Sequence, residues 1–206
     1  MVTNLPNLLT LSRIVVIPLV IACFYVEGTT ARWVACGLFV AAAITDWFDG
    51  YLARSWGQTS NFGRFLDPIA DKLLVAAVLL MLAAFNHISP VTVLPAVVIM
   101  MREILVSGLR EFLAELRVGM PVSRLAKWKT AVQMMALTLL ILGDAGPAVL
   151  PLAMVGEVSL WLAAGLTLFT GYDYLQAGMK HIAVHTPAAP PVSPPPTTVN
   201  TARHLG

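Results

Sequence analysis

Residues 46–71 read DWFDGYLARSWGQTSNFGRFLDPIAD, and they hold four carboxylates, Asp46, Asp49, Asp67 and Asp71, in a chain otherwise dominated by Leu, Val, Ala, Ile and Met. On a helix Asp46, Asp49, Gly50 and Ala53 fall at spacings of three, four and seven and share one face. Gly63, Asp67 and Asp71 do the same at spacings of four and eight. Two apolar segments therefore each carry a pair of acids, joined by the polar stretch 55–62, SWGQTSNF.

Four carboxylates near lipid cannot all stay ionised and unpaired, because each costs several kcal/mol to bury alone. Protons, basic side chains or bound cations can compensate them. Arg54, Arg64 and Lys72 are close in sequence, so one reading is a salt-bridged helical hairpin at the membrane surface. The other is an oxygen-only cage for hard divalent cations, which suits Mg²⁺ or Mn²⁺ and not Zn²⁺, since the stretch holds neither Cys nor His. The spacing of the acids favours the cage.

The stretch also resembles the signature of the CDP-alcohol phosphotransferase family, D-x-x-D-G-x-x-A-R, eight residues, then G-x-x-x-D-x-x-x-D. Asp46, Asp49, Gly50, Ala53, Arg54, Gly63, Asp67 and Asp71 fill it without departure. A chance match of that length is on the order of 10⁻¹⁰ per starting point. The resemblance implies that Asp46, Asp49, Asp67 and Asp71 are ligands to two divalent ions. It further implies that Asp71 is the general base and that Gly50, Ala53, Arg54 and Gly63 lie beside a CDP moiety. For a lone glycine, close helix packing is the commoner role in membranes, and an isolated Arg54 would simply reach for headgroups.

Outside the signature, NLPNLLTLSR (4–13), MREILVSGLREFLAE (101–115) and RLAKWKTAVQM (124–134) resemble the bacterial phosphatidylglycerophosphate synthase subgroup. The implied reaction transfers a phosphatidyl group from CDP-diacylglycerol to sn-glycerol 3-phosphate, with release of CMP. Arg102, Arg110, Lys127 and Lys129 would then receive the dianionic acceptor, and Asn7 and Thr10, with Arg13 beside them, would line the nucleotide or acceptor pocket. Arg102 could instead pair with Glu103 or Glu111, and Lys127 and Lys129 could be plain interfacial anchors. Members of the family are commonly homodimers, and by analogy a dimer is expected here. A sibling enzyme using another acceptor, as in cardiolipin or phosphatidylinositol phosphate synthesis, would keep the cage and change the basic cluster. A divalent-cation transporter is a remoter rival, because transporter sites sit near the midplane between repeated halves and no repeat is evident.

Composition sets the class. The chain is 58% hydrophobic and 12% charged, with a mean hydropathy of +0.79, whereas soluble domains carry about 25% charged residues. This predicts an integral membrane protein, all-α, a polytopic bundle of about six transmembrane helices. Spans are expected at roughly 11–27, 31–52, 65–85, 91–113, 130–143 and 149–175, allowing about 20 residues per crossing. The first is read as a retained span and not a cleaved signal, since VEGTTARW offers no convincing cleavage site. A helix beginning near Phe65 would hold Pro68 in its first turn, where a missing N–H is harmless. Residues 1–180 are expected to form the membrane domain and 186–206, rich in proline, a disordered tail.

The basic connections follow the positive-inside pattern, which puts both termini and the acids on the cytoplasmic face of a bacterial inner membrane. The opposite face keeps Arg32 and little else. His87, His181, His185 and His204 fall in turns or the tail and are read as solvated. Cys23 and Cys36, both in apolar runs, offer neither a disulfide framework nor a metal site, and no nucleic-acid-binding motif is present.

Overall fold

Leu, Val, Ala, Ile and Met dominate every long segment, and in lipid only a helix satisfies its own backbone donors and acceptors. The computed structural model describes residues 5–56, 61–115, 124–147 and 149–185, with side chains described for 10–46, 66, 68–115, 125–147 and 149–179. Among the described residues there are six α-helices: α1 (Leu5–Phe24), α2 (Thr29–Trp56), α3 (Asn61–Ala84), α4 (Val93–Glu115), α5 (Arg124–Leu142) and α6 (Leu152–His185). No strand occurs among the described residues. Among the described residues three stretches are long and apolar enough to cross a membrane, Pro90–Glu115, Leu125–Ala145 and Leu152–Met179, and Thr10–Phe24 is a shorter apolar helix. Large apolar side chains such as Leu80, Ile104, Leu162 and Phe169 are exposed on the outside of the bundle, as expected where lipid is the solvent. The protein is an integral membrane protein.

Helix α1 lies against α2 and α3, α5 against α6 and α2, and α4 against α6. Phe39, Val78, Leu82, Ile99, Leu137 and Leu160 are fully buried and belong to one contiguous core. Connections are short, so successive helices run up and down, and six of them return the chain to the end where it began. The start of α1, the end of α2 and the start of α3 share that end with the end of α4 and the start of α5.

The far end is held by local chemistry. Asn86 adopts a left-handed conformation (φ 54°), with His87 N donating to Leu82 O at 2.9 Å and Asn86 N to Ala83 O at 3.3 Å. This Schellman closure satisfies carbonyls at the end of α3 and fixes where His87 points. The Glu157 carboxylate of α6 accepts from Ser89 N (2.7 Å), Ser89 Oγ (2.8 Å) and Thr92 Oγ1 (2.7 Å), which satisfies donors at the start of α4.

Several helix limits differ from those read off the apolar runs. Helix α1 begins at Leu5, α3 at Asn61 and α6 continues to His185. An apolar run marks the length that lipid demands, and a helix built of good formers runs on past it into water. Because α3 starts earlier than expected, Pro68 lies inside it and not in its first turn. It therefore forgoes one interior hydrogen bond to the carbonyl four residues back. The expected tail, 186–206, lies outside the described residues.

Candidate active site

The acid-bearing faces of α2 and α3 meet on a residue of α1. Arg13 is 1% exposed, and its Nη1 donates to Asp46 Oδ1 at 2.6 Å and to Asp71 Oδ1 at 2.5 Å. The guanidinium lies behind the two carboxylates, whose side chains stay 42% and 46% exposed. Thr10, one turn earlier on the same face of α1, is also buried. A buried charge demands partners, and here two acids from two helices supply them at one point.

That convergence tests whether the residues suit a divalent ion. Two carboxylate oxygens aimed at a single cationic atom already have the arrangement a shared hard cation requires, and Mg²⁺ takes oxygen ligands at about 2.1 Å. Arg13 Nη1 acts as a stand-in for such a cation, and the donor set fits. Asp49 lies one turn from Asp46 on α2, and Asp67 one turn from Asp71 on α3. Their side chains lie outside the described ones, as do those of Asn7, Gly50, Ala53, Arg54 and Gly63.

A second polar network lies across α4, α5 and α6. Lys129, buried, donates to Glu103 Oε1, and Arg102 Nη1 approaches the same oxygen at 3.5 Å. Arg102 Nη2 donates to Thr170 Oγ1 at 3.1 Å, and its guanidinium carbon lies 5.9 Å from the centre of the Tyr174 ring. A Cβ at Gly171 would come within 3.0 Å of Arg102 Cγ, so a residue without a side chain is what lets Arg102 lie along α6. Two cations share one carboxylate, and Arg102 Nε, buried, has no partner among the described residues. The network is thus positive in balance and under-supplied with acceptors.

Arg102 and Lys129 are brought together, through Glu103, the pairing weighed as the alternative for Arg102. Arg110 and Lys127 are exposed, with Arg110 close enough to Arg102 for its charge to act there. Lys72, next to Asp71, donates to Ser107 Oγ on α4, which links the acidic helices to the basic ones. The reading passed over Thr170, Gly171 and Tyr174. Their only sequence signal is a small, polar and aromatic set at helical spacing inside an apolar span. It also passed over Gln133, buried one turn beyond Lys129 with its Oε1 unpartnered among the described residues.

A model of the CDP-alcohol phosphatidyltransferase family matches residues 3–169. Among curated relatives, a protein of Rickettsia felis named CDP-diacylglycerol–glycerol-3-phosphate 3-phosphatidyltransferase is 51% identical over 178 residues, covering 86% of this chain and 97% of that one. Proteins with the same name from Pseudomonas fluorescens and Cereibacter sphaeroides are 44% and 37% identical, each over 87% of this chain and over 92% and 97% of their own length. With a family match across most of its length and a relative 51% identical over 86% of it, the chain belongs to the CDP-alcohol phosphatidyltransferase family.

Proposed function

We propose that the protein transfers a phosphatidyl group from CDP-diacylglycerol to sn-glycerol 3-phosphate, giving phosphatidylglycerol phosphate and CMP. The family is generally dependent on divalent metal. The observation that carries the reading is the meeting of Asp46 and Asp71, from two helices, on one cationic point. Asp46, Asp49, Asp67 and Asp71 would hold two ions, Mg²⁺ or Mn²⁺, which when bound neutralise the diphosphate and stabilise the departing CMP.

The chain's own residues do the rest. Arg13, buried behind the carboxylates, is a positioning residue that fixes Asp46 and Asp71 from the core side. Asp71 Oδ1 faces Arg13, which leaves Oδ2 to take the proton from the acceptor hydroxyl. The freed oxygen attacks the lipid-bearing β-phosphorus of CDP-diacylglycerol, the bond from that phosphorus to the CMP oxygen breaks, and CMP leaves with the electron pair. Gly50, Ala53, Arg54 and Gly63 lie beside the cytidine diphosphate, with Asn7 and Thr10 near it. The positive balance of Arg102 and Lys129 over Glu103 supports binding of a phosphate dianion, with Arg110 and Lys127 at the approach.

Residues 1–180 form the catalytic domain in this reading, and the proline-rich 186–206 lie outside it. Both termini and the acids face the cytoplasm across the bacterial inner membrane, and the protein acts as a homodimer. Purified protein given CDP-diacylglycerol and Mg²⁺ should release CMP only when glycerol 3-phosphate is present, and chelation should stop the release. Release that depends on another alcohol would move the assignment to a sibling acceptor. Lys129→Ala should raise the KM for glycerol 3-phosphate more than that for CDP-diacylglycerol, and the opposite pattern would exchange the two binding regions.

A further inference from the structure

At the end of the bundle away from the acids, α1, α2 and the turn after α3 surround a cavity of about 280 Å³. Arg32, Glu27, Phe24, Tyr25, Phe85 and His87 are among its walls. Along α2 and α3 it lies about 20 Å from Asp46 and Asp71 at 1.5 Å per residue, so it is separate from the site described above.

Arg32 is the cavity's fixed charge. Its Nη2 contacts His87 Nε2 at 2.8 Å and its Nη1 reaches the Leu142 carbonyl at 3.5 Å. A Cβ at Gly143, whose φ is +45°, would come within 3.1 Å of that Nη1, so the guanidinium is seated against the end of α5. Both partners are neutral, and among the described residues Arg32 forms no ion pair. Arginine can only donate, so His87 Nε2 accepts and the ring proton is on Nδ1. That Nδ1 is buried and has no partner among the described residues. A cation that lines a cavity and has no carboxylate on it calls for an anionic oxygen ligand.

The remaining walls call for something else as well. Tyr25 meets Phe85 edge-on at 5.0 Å between ring centres, and Phe24 lies 6.0 Å from Phe85 and 5.5 Å from His87. Rings beside a carboxylate, Glu27, suit an ammonium group. Glu27 and Asp144 also outnumber Arg32 at this end, which disfavours a ligand carrying negative charge alone. The level in the membrane is marked by Tyr25, 70% exposed, and by Trp33, 50% exposed with Nε1 donating to Ala145 O at 3.2 Å. Amphipathic rings of this kind gather at the headgroup layer. Val26, exposed and lining the cavity, adds apolar surface suited to acyl chains.

We propose that this cavity binds the headgroup of a zwitterionic phospholipid, with its phosphate on Arg32 and its ammonium between Glu27 and the rings of Phe24, Tyr25 and Phe85. A lipid seated there ties together the ends of α1, α2, α3 and α5.

The test is native mass spectrometry of the purified full chain titrated with phosphatidylethanolamine, phosphatidylglycerol, soluble phosphoethanolamine and inorganic phosphate. The wild type should retain one phosphatidylethanolamine about tenfold more readily than phosphatidylglycerol, and Arg32→Gln should lose that retention about tenfold, the scale of one charge-assisted contact. Arg32 also secures the end of α5, so Glu27→Gln, in an exposed turn, provides an independent arm. It should keep a lipid bound but lose the preference for the zwitterion, with CMP release unchanged. Equal retention of both lipids by the wild type, or unaltered preference in Glu27→Gln, would overturn the proposal. Displacement of the lipid by soluble phosphoethanolamine at equal concentration would assign the cavity to a solute and overturn its lipid origin.

Discussion

The two ends of this bundle each hold an arginine among packed helices, and they treat its charge in opposite ways. At one end Arg13 is enclosed and contacts two carboxylates from two other helices. At the other, Arg32 is half-buried and contacts an imidazole nitrogen and a backbone carbonyl. The first arrangement has more negative charge than its single cation offsets, so it still invites a cation. The second has a cation whose neighbours carry no direct counter-charge, so it invites an anionic group. The groups in direct contact with the arginine, and not the arginine itself, distinguish a metal-binding end from a headgroup-binding end.

The largest expected effect bears on the acidic end. Asp71→Asn preserves size and removes the base, so turnover measured as CMP release should fall about 10²–10⁴-fold, while binding of CDP-diacylglycerol stays within a few-fold. Full activity in that variant would remove Asp71 as the proton acceptor and leave the carboxylates with a purely binding role.

The next effect compares the arginines directly. Arg13→Gln leaves Asp46 and Asp71 facing each other without their cation. Breaking a buried pair from one side costs about 3 kcal/mol at the lower end of the observed range, appropriate since the carboxylates are partly exposed. Arg32→Gln loses contacts to neutral partners and should cost about 1 kcal/mol. Thermal unfolding in the presence of chelator should therefore show the larger fall in Tm for Arg13→Gln, and added Mn²⁺ should restore more of it there than in the wild type. Equal falls, or no recovery with metal, would erase the distinction between the two ends.

Much of the acidic end was legible because Asp46, Asp49, Asp67 and Asp71 carry their own geometry: helical spacing alone puts each pair on one face. Their partner was harder to read. Arg13 lies 33 and 58 positions away, and nothing in its own surroundings says which helix face it meets. Glu103 was considered as the partner of Arg102 because it is adjacent on the chain. Thr170, Gly171 and Tyr174 were passed over because α6 is apolar nearly all round, so its sequence does not reveal how the helix is turned. The limits of α1, α3 and α6 were misplaced for a related reason: apolarity measures lipid, and helicity continues beyond it. His87 was read as a solvated turn residue, yet the Schellman closure at Asn86 turns it inward against Phe24 and Phe85. Local chemistry of that kind is invisible until the end of the helix is known.

The smallest effect concerns that histidine. Burial, and after it the positive charge of Arg32, holds the His87 imidazole below the ordinary histidine range, with Asp144 opposing them. His87 is therefore neutral in the folded protein at a pH where an unfolded chain would begin to protonate it. A group whose folded pKa is depressed contributes stability above its unfolded pKa, about 6.5 for histidine, and loses it as pH falls through the folded pKa. Tm measured from pH 8 downward should stay level to about pH 6.5 and then decline more steeply for the wild type than for His87→Phe, which keeps a ring against Phe24 and Phe85 but cannot take a proton. Superimposable profiles would mean that His87 is hydrated after all. The contact between Arg32 and a neutral imidazole, on which the contrast between the two ends partly rests, would then have to be given up.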